Sequence, residues 1–354
     1  MERPLDHTHA GPDADEYLPW SAAMDRALYG PEGFFRRPAG PAAHFRTSVY
    51  ASPLFATAVL RLLRETDAAL GHPPRLSLVD VGAGRAELLL EVCSQLGDDP
   101  LGRRLHPVAV ELADRPADLP ELIEWAPRPP KGVRGLVIAN EWLDNVPCDV
   151  VETGPDGRAR LLEVARDGAE RFAAEPNDSQ QAWLEHWWPT WRDGRVGERA
   201  ELGLMRDAAW AEAVAALDGG VAVAIDYAHA VDTRPPFGSL TGYAEGRQVP
   251  PIPDGSCDLT AHVALDACAA AAQHVADWSR RLNQRTVLHR LGIDGSRPDL
   301  STAARDPLGY VRALSRASAA AELTDPAGLG AFAWLVQGVA VPTLPSLEGS
   351  SLEV

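Results

Sequence analysis

The sequence contains almost no lysine, and its charge balance is strongly negative. Lys131 is the single lysine, and 50 Asp and Glu residues stand against 33 Lys and Arg residues, which gives a formal net charge of −17. A surface that binds nucleic acid needs clustered Lys and Arg, because it must neutralise phosphates. The composition therefore argues against a nucleic-acid partner. An acidic surface would instead attract a basic protein, although a soluble acidic protein is the simpler interpretation.

The sequence also lacks the patterns of a secreted or membrane-spanning chain. No apolar run approaches the roughly 20 residues needed to cross a bilayer, so we expect no membrane partner. The acidic N-terminal residues predict neither a signal peptide nor a transit peptide. The cysteines show no C-x-x-C spacing, so we expect reduced thiols, a cytoplasmic location and no metal ligands. These cysteines are Cys93, Cys148, Cys257 and Cys268.

Apolar runs alternate with helix-like stretches through the middle of the chain. They predict strands, in order, at residues 76–81, 107–111, 122–125, 135–139 and 220–225. Strands that alternate with helices are typical of a doubly wound sheet, so the predicted fold class is α/β. A helical N-terminal segment precedes the first strand, and an α+β insertion separates the fourth strand from the fifth.

This pattern divides the chain into segments with different predicted roles. They are a disordered N-terminal tail (1–16), a helical lid or cap (17–74), the first part of a Rossmann-like core (75–150), an inserted hairpin with a tryptophan-rich lobe (151–205), the rest of the core with substrate-side loops (206–340) and a flexible C-terminal tail (341–354). The tryptophans at 183, 187, 188 and 191 form either the core of the lobe or a substrate wall. We favour the core, because tryptophan is mostly buried in proteins.

A glycine turn follows the first predicted strand. The run Asp80-Val81-Gly82-Ala83-Gly84 leads into a helix from about Ala86 to Leu96. Glycines let the backbone turn tightly and approach a ligand, and the free N–H groups of a helix start favour an anionic group. A dinucleotide fingerprint needs a third glycine where Glu87 stands. This difference, with Asp80 two residues before the first glycine, favours S-adenosylmethionine (SAM) over NAD. A plain strand-to-helix turn is the alternative.

Polar residues at the other strand ends extend the candidate cofactor site. Ligands of open α/β sheets bind beyond the C-terminal strand ends. Glu111 closes the second strand, where a carboxylate can accept hydrogen bonds from both ribose hydroxyls; a surface carboxylate is the alternative. Asp226-Tyr227 ends the fifth strand. We assign cofactor binding to Asp80, Gly82, Gly84, Glu111 and Asn140.

The candidate catalytic residues are Glu141 and Asp144, which follow the fourth strand. Their spacing of three places both on one face if they lie on a helical turn. A guanidinium is a planar fork of donors that matches carboxylates, so paired acids here suit an arginine acceptor. The alternative of equal weight is a helix start that is capped by Asn140, with both acids near its positive end.

Several short blocks occur in the order seen in one known family. Residues 138–147, Ile-Ala-Asn-Glu-Trp-Leu-Asp-Asn-Val-Pro, resemble the Asn-Glu-Phe-Phe-Asp-Ala-Leu-Pro signature of the MidA family. These are SAM-dependent methyltransferases related to the mitochondrial complex I assembly methyltransferase. The resemblance covers about residues 17–340. Further similar blocks lie at residues 29–35, 45–48, 80–84, 224–227 and 258–263.

The resemblance implies a class I methyltransferase sheet, SAM as the cofactor and a methyl acceptor as the partner. The mitochondrial relatives methylate an arginine of a complex I subunit, so a protein side chain, with arginine as a candidate, is the expected acceptor. Residues 47–53 depart from the family pattern, which makes methylation of a small biosynthetic molecule a second hypothesis. A SAM-binding assembly protein without turnover is a third. A homodimer is a candidate assembly.

Overall fold

The structure of the protein is a computed structural model that describes residues 16–36, 48–189, 191 and 194–349. The predicted N-terminal tail up to residue 15, residues 45–47 of the family blocks and the last five residues of the predicted C-terminal tail lie outside these residues. The chain divides into two compact units. The smaller unit contains Met1–Arg37, Pro147–Leu202 and Pro235–Thr260, and the sheet unit contains Pro38–Val146, Gly203–Arg234 and Ala261–Val354.

Strands and helices alternate along most of the described chain. The strands are β1 (Leu18–Pro19), β2 (Leu76–Val81), β3 (Leu105–Val110), β4 (Glu124–Ala126), β5 (Val133–Asn140), β6 (Asp149–Thr153), β7 (Ala159–Val164), β8 (Glu170–Phe172), β9 (Arg199–Leu202), β10 (Leu217–Asp226), β11 (Ala228–His229), β12 (Thr241–Ala244), β13 (Arg247–Val249), β14 (Asp258–Thr260), β15 (Val263–Ala264), β16 (Trp278–Asn283) and β17 (Ala333–Val339). The helices are α1 (Trp20–Tyr29), α2 (Ser48–Ala51), α3 (Pro53–Ala69), α4 (Glu87–Leu96), α5 (Asp178–Trp187), α6 (Leu204–Ala215), α7 (Leu265–Ala271), α8 (Gln284–Arg290), α9 (Leu300–Arg305) and α10 (Pro307–Leu323). Within the described residues, none of these helices has the length and apolar character that a membrane span requires.

The sheet unit is built around a seven-stranded mixed sheet in the order β16-β17-β10-β5-β2-β3-β4. The five strands predicted from the sequence are β2, β3, β4, β5 and β10, with ends shifted by a few residues, and they run parallel. Strand β17 runs antiparallel to both β10 and β16, which makes the sheet mixed. The chain passes from β2 to β3 and β4, then returns to the other side of β2 as β5. The switch point between β2 and β5 is where such sheets bind ligands.

Apolar side chains on both faces of this sheet form two buried clusters. Alternate residues of a strand point to opposite faces, and accordingly Leu78 packs in one cluster and Val79 in the other. Helices α3, α4, α8 and α10 contribute side chains to the first cluster, and α6 and α7 to the second. Burial on both faces explains why these strands are continuously apolar and were visible in the sequence.

The smaller unit contains two short antiparallel sheets and the helices α1 and α5. One sheet has the order β1-β7-β6-β9, with β8 paired to β7, and the other has the order β13-β12-β14. Strands β6 and β7 are the predicted hairpin, with Val151 opposite Leu161. Trp183, Trp188 and Trp191 are buried, while Trp187 is half-buried. Their burial fits the interpretation of these residues as core.

The chain remains packed beyond residue 340, where the sequence analysis expected a flexible tail to begin. A short helical turn spans Pro345–Leu347. The side chains of Val341, Leu344 and Leu347 belong to the first buried cluster of the sheet unit. Their apolar surface leaves water on packing, which holds this segment in place.

Candidate functional site

The glycine turn lies at the C-terminal end of β2, next to the switch point. Gly82 and Gly84 have φ values of +73° and +56°, a region that glycine enters without steric cost. The backbone N–H of Gly82 donates to the carbonyl of Val110 over 2.9 Å, which joins the turn to β3. A Cβ on Gly82 would lie 2.8 Å from Cδ1 of Trp142, whereas one on Gly84 would meet only Oε2 of Glu87 at 3.3 Å. The Trp142 side chain therefore fills the space beside Gly82, whereas only the Glu87 side chain lies near Gly84.

The Glu111 carboxylate holds this turn together. Its Oε2 accepts a hydrogen bond of 3.0 Å from the backbone N–H of Gly84. Its Oε1 accepts from the N–H groups of Leu112, at 2.7 Å, and Ala113, at 3.1 Å. A carboxylate offers about four lone-pair directions, so these three bonds leave about one for a ribose hydroxyl. Glu111 lies at the end of β3, as the sequence analysis expected. Its hydrogen bond to the glycine turn was not predicted from the sequence.

A cluster of carboxyl groups surrounds the turn. Asp80 is buried in β2, and its burial, with the charges of Glu87 and Glu111, raises the pKa of its carboxyl well above the ordinary value. Glu87 accepts a 2.7 Å hydrogen bond from the hydroxyl of Tyr50 on α2. Burial and this bond raise the pKa of the Tyr50 hydroxyl. Crowded acids of this kind favour a ligand that carries positive charge.

Asn140 and Glu141 form the second part of the site, at the end of β5. The Asn140 amide donates to Glu141 Oε1 over 3.0 Å, and Asn140 Oδ1 is buried without a hydrogen-bond partner among the described residues. Glu141 Oε1 also accepts from the backbone N–H of Ser48 over 3.2 Å. Glu141 has a φ of +52°, unusual for a residue other than glycine. Both of these hydrogen bonds end on Oε1, and among the described residues no hydrogen bond to Oε2 of Glu141 is found.

Burial raises the pKa of Glu141 from 4.5 to about 7, and the nearby charge of Asp144 adds to the effect. The hydrogen bonds from Ser48 and Asn140 act in the opposite direction, because they stabilise the ionised form. A group with a pKa near 7 can exchange a proton at physiological pH. Perturbed carboxyl groups of this kind are common at functional sites.

Asp144 has a different environment, which corrects one sequence-based alternative. It lies in a short helical turn, Leu143–Asn145, whose cap position is Trp142 and has no side-chain cap. Asp226 at the end of β10 caps this turn instead, since its Oδ2 accepts from the N–H groups of Leu143 and Asp144 over 3.0 and 3.2 Å. The Asn140 side chain donates to Glu141 and does not cap the Leu143–Asn145 turn, so the helix-cap interpretation of Asn140 is wrong.

Two buried side chains stabilise the segments around the site. The sequence analysis did not assign either of them to it. Arg206 donates to the carbonyl oxygens of Asp144 at 2.8 Å and Val146 at 3.1 Å, and so pins the turn that follows β5. Gln284 is fully buried, and its amide donates to Ser48 Oγ over 3.1 Å. Neither residue belongs to a recognisable sequence motif, so only their three-dimensional contacts reveal them.

The site as a whole matches a ligand with positive charge and hydrogen-bond donors. Two carboxyls with raised pKa values, the buried Asp80 and the half-buried Glu141, lie at the ends of β2 and β5 on either side of the switch point. Asn140 Oδ1 is a buried acceptor in need of a donor. The described residues contain no cluster of three or more His, Cys, Asp or Glu side chains that could hold a metal ion.

Comparison with known proteins defines the class of the enzyme. Residues 54–282 match the model of a protein family described as "Putative S-adenosyl-L-methionine-dependent methyltransferase". This match covers more than half of the chain and includes the glycine turn and both candidate catalytic residues. The chain belongs to this family: it is a SAM-dependent methyltransferase, and its cofactor is SAM. No curated protein matches the chain.

Solved structures show the same fold. The chain is similar to a crystal structure from Burkholderia thailandensis described as a "likely methyl transferase" bound to S-adenosyl-homocysteine, with 24% identity and a TM-score of 0.76 over 95% of this chain and 92% of that one. A second crystal structure, of an uncharacterized protein from Burkholderia thailandensis, gives 24% identity and a TM-score of 0.75 over 95% of this chain and 91% of that one. At this identity the similarity establishes the shared fold.

SAM fits the residues at the strand ends. Its sulfonium and α-ammonium groups are positive, which suits a pocket crowded with carboxyl groups. Its ammonium and adenine amino groups supply donors of the kind that the buried Asn140 Oδ1 lacks. The predicted preference for SAM over NAD is confirmed at the level of the family.

Proposed function

We propose that the enzyme transfers the methyl group of SAM to a protein side chain, with the guanidinium of arginine as the acceptor. The observation that carries this proposal is the Glu141 carboxyl at the end of β5. Its hydrogen bonds within the described residues both end on Oε1, and its pKa is raised to about 7. A guanidinium that donates to Oε2 would satisfy this atom and favour the ionised carboxylate.

The reaction requires alignment and the removal of one proton. SAM supplies a methyl group on a positively charged sulfur. As the acceptor nitrogen forms its bond to the methyl carbon, the carbon–sulfur bond breaks and the nitrogen must release a proton. Glu141, with a pKa close to the pH of the reaction, is suited to accept it. Holding donor and acceptor in line supplies most of the remaining rate enhancement.

The other residues of the site hold the reactants in place. We assign SAM binding to Asp80, Gly82, Gly84 and Asn140, and we assign to Glu111 the ordering of the glycine turn with one contact to the ribose. Asp144 contributes through its charge, which raises the pKa of Glu141. We therefore propose Glu141 as the catalytic residue and Asp144 as a positioning residue.

Labelled methyl transfer tests this proposal. The enzyme is incubated with tritiated-methyl SAM and a whole lysate of the source cells, and the products are separated from SAM into protein and small-molecule fractions. We expect label in the protein fraction, lost with Glu141→Gln and kept with Glu175→Gln, a matched change of an exposed acid in the smaller unit. Label in the small-molecule fraction alone would favour a biosynthetic acceptor. Absence of label in both, with SAM bound, would favour an assembly protein.

A further inference from the structure

A cavity of about 550 Å³ lies at the end of β10, on the side of the switch point away from the glycine turn. The residues that line it include the aromatic Tyr227 and Phe332 and the acidic Glu322 and Asp325. Its volume lies within the range of pockets that bind small ligands or side chains, about 300–1,000 Å³. None of the described residues that line it carries a positive charge.

The aromatic wall of this cavity follows from the sheet. Asp226, the last residue of β10, pairs with Ala333, the first residue of β17. Tyr227 and Phe332 are the next residues outward, and their ring centroids lie 4.2 Å apart. The Tyr227 ring also stacks on His262 with an interplanar angle of 13° and a centroid distance of 5.6 Å. Tyr227 as a residue is 39% exposed.

Hydrogen bonds connect the end of β10, which borders the cavity, to the proposed catalytic residue Glu141. The backbone N–H of Glu141 donates to the carbonyl of Ile225 over 2.8 Å, two residues before Tyr227. Asp226 accepts from the N–H of Tyr227 through Oδ1 and from the turn after Glu141 through Oδ2. A ligand in the cavity would therefore lie beside the site where the methyl group is transferred.

The acidic wall comes from the C-terminal end of α10 and the turn that follows it. Glu322 lies in the last turn of α10, and Asp325 is exposed in the next turn. Asp325 is fixed by its backbone carbonyl, which accepts from Gly328 and Gly330, and by Oδ1, which accepts from the N–H of Ala327 over 3.0 Å. Both carboxylates are thus carried on ordered backbone.

We infer that this cavity is an acceptor subsite that selects a positively charged side chain by its charge and by the face of Tyr227. This inference rests on the proposed function, because it supplies the place where a basic protein segment enters. Cations bind over aromatic faces, and two carboxylates add charge complementarity at the same opening. Such a subsite would add local selection of a basic side chain to the long-range attraction that the net negative charge of the enzyme exerts on basic proteins.

Binding of two matched peptides tests the inference. The probes are acetyl-Gly-Gly-Arg-Gly-Gly-amide and the same peptide with citrulline, which has nearly the shape of arginine without its charge. Each is titrated into the enzyme saturated with S-adenosylhomocysteine. We expect the arginine peptide to bind at least tenfold more tightly, and the double variant Glu322→Gln, Asp325→Asn to lose about tenfold of that affinity.

A control variant separates local charge from net charge. Asp167 and Asp254 are exposed, and the Oδ1 of each accepts the N–H two residues on, as that of Asp325 does. The double variant Asp167→Asn, Asp254→Asn should keep wild-type affinity for the arginine peptide. A third variant, Tyr227→Leu, should weaken the arginine peptide more than the citrulline peptide.

Three results would overturn the inference: equal affinity for the two peptides, wild-type affinity in the Glu322→Gln, Asp325→Asn variant, or no binding of the arginine peptide at millimolar concentration. Failure of the proposed function has a different signature, namely labelled small molecules in the methyl-transfer assay. Because the peptide titration involves no methyl transfer, the two outcomes are read independently.

Discussion

Replacing Glu141 by Gln separates a catalytic role from a structural one. The substitution keeps the size of the side chain and an oxygen that can accept the bonds from Ser48 and Asn140, and it removes the charge. If Glu141 orients the acceptor and takes its proton, turnover should fall by about 100-fold or more, as it does when a group that stabilises the transition state is lost. The affinity for SAM should change little, since Glu141 is assigned to the acceptor.

The stability effect of this substitution can be worked out from the pKa of Glu141. The carboxyl has a pKa of about 7 in the folded protein and near 4.5 when unfolded. Between these values the folded state binds more protons, so stability falls as the pH rises from about 4.5 to 7 and is constant above. The ionised group therefore destabilises the fold above pH 7 by about 1–3 kcal/mol, allowing for its partial exposure.

The glutamine side chain cannot ionise, so the variant should not lose this folding free energy above pH 7. Denaturant unfolding at pH 8 should show Glu141→Gln more stable than wild type by about 1–3 kcal/mol, and the difference should shrink towards pH 5. Wild-type turnover should rise with pH through about 7, as Glu141 ionises. A variant with full turnover, or one destabilised at pH 8, would refute the reasoning from the raised pKa of Glu141.

Three further predictions concern the cofactor side of the site. Gly84→Ala should weaken SAM binding in calorimetry and cost about 1–2 kcal/mol in denaturant unfolding, because alanine is strained at this positive φ; unchanged SAM affinity would remove Gly84 from the site. Glu111→Ala should weaken SAM by roughly 1.5–3 kcal/mol, because the glycine turn loses its acceptor, and a dissociation constant equal to that of wild type would count against this. SAM binding should tighten as the pH rises through the range in which Asp80 ionises, because the positive groups of SAM favour its carboxylate; an affinity independent of pH would contradict this.

The parts of the fold that the sequence predicted are those with local signals. Strands β2, β3, β5 and β10 are buried on both faces, so each appears as a continuous apolar run. The glycine turn was visible because its backbone conformation requires glycine. Strand β16 lacks this clarity, since it lies at the sheet edge and carries Arg280 and Arg281. Strand β17 is buried and mostly apolar, but the sequence analysis did not predict it.

The parts of the site that sequence reasoning missed depend on long-range contacts. Asp226 was noted as a strand-end residue, but its role as the cap of the Leu143–Asn145 turn joins positions 82 residues apart. The hydrogen bond between Ser48 and Gln284 spans 236 residues. Neither partner has a local pattern that predicts the other. The raised pKa of Glu141 follows from burial and from the charge of Asp144. The residues that neighbour Glu141 in sequence do not predict how deeply its side chain is buried.

The most direct test is to identify the atom that receives the methyl group. Protein labelled with tritiated-methyl SAM is hydrolysed to amino acids, and the label is located by chromatography against methylated standards. We predict that the label elutes with methylarginine and is absent when the reaction uses Glu141→Gln. Label on another amino acid, label confined to small molecules, or equal labelling by the variant would contradict transfer to arginine at Glu141.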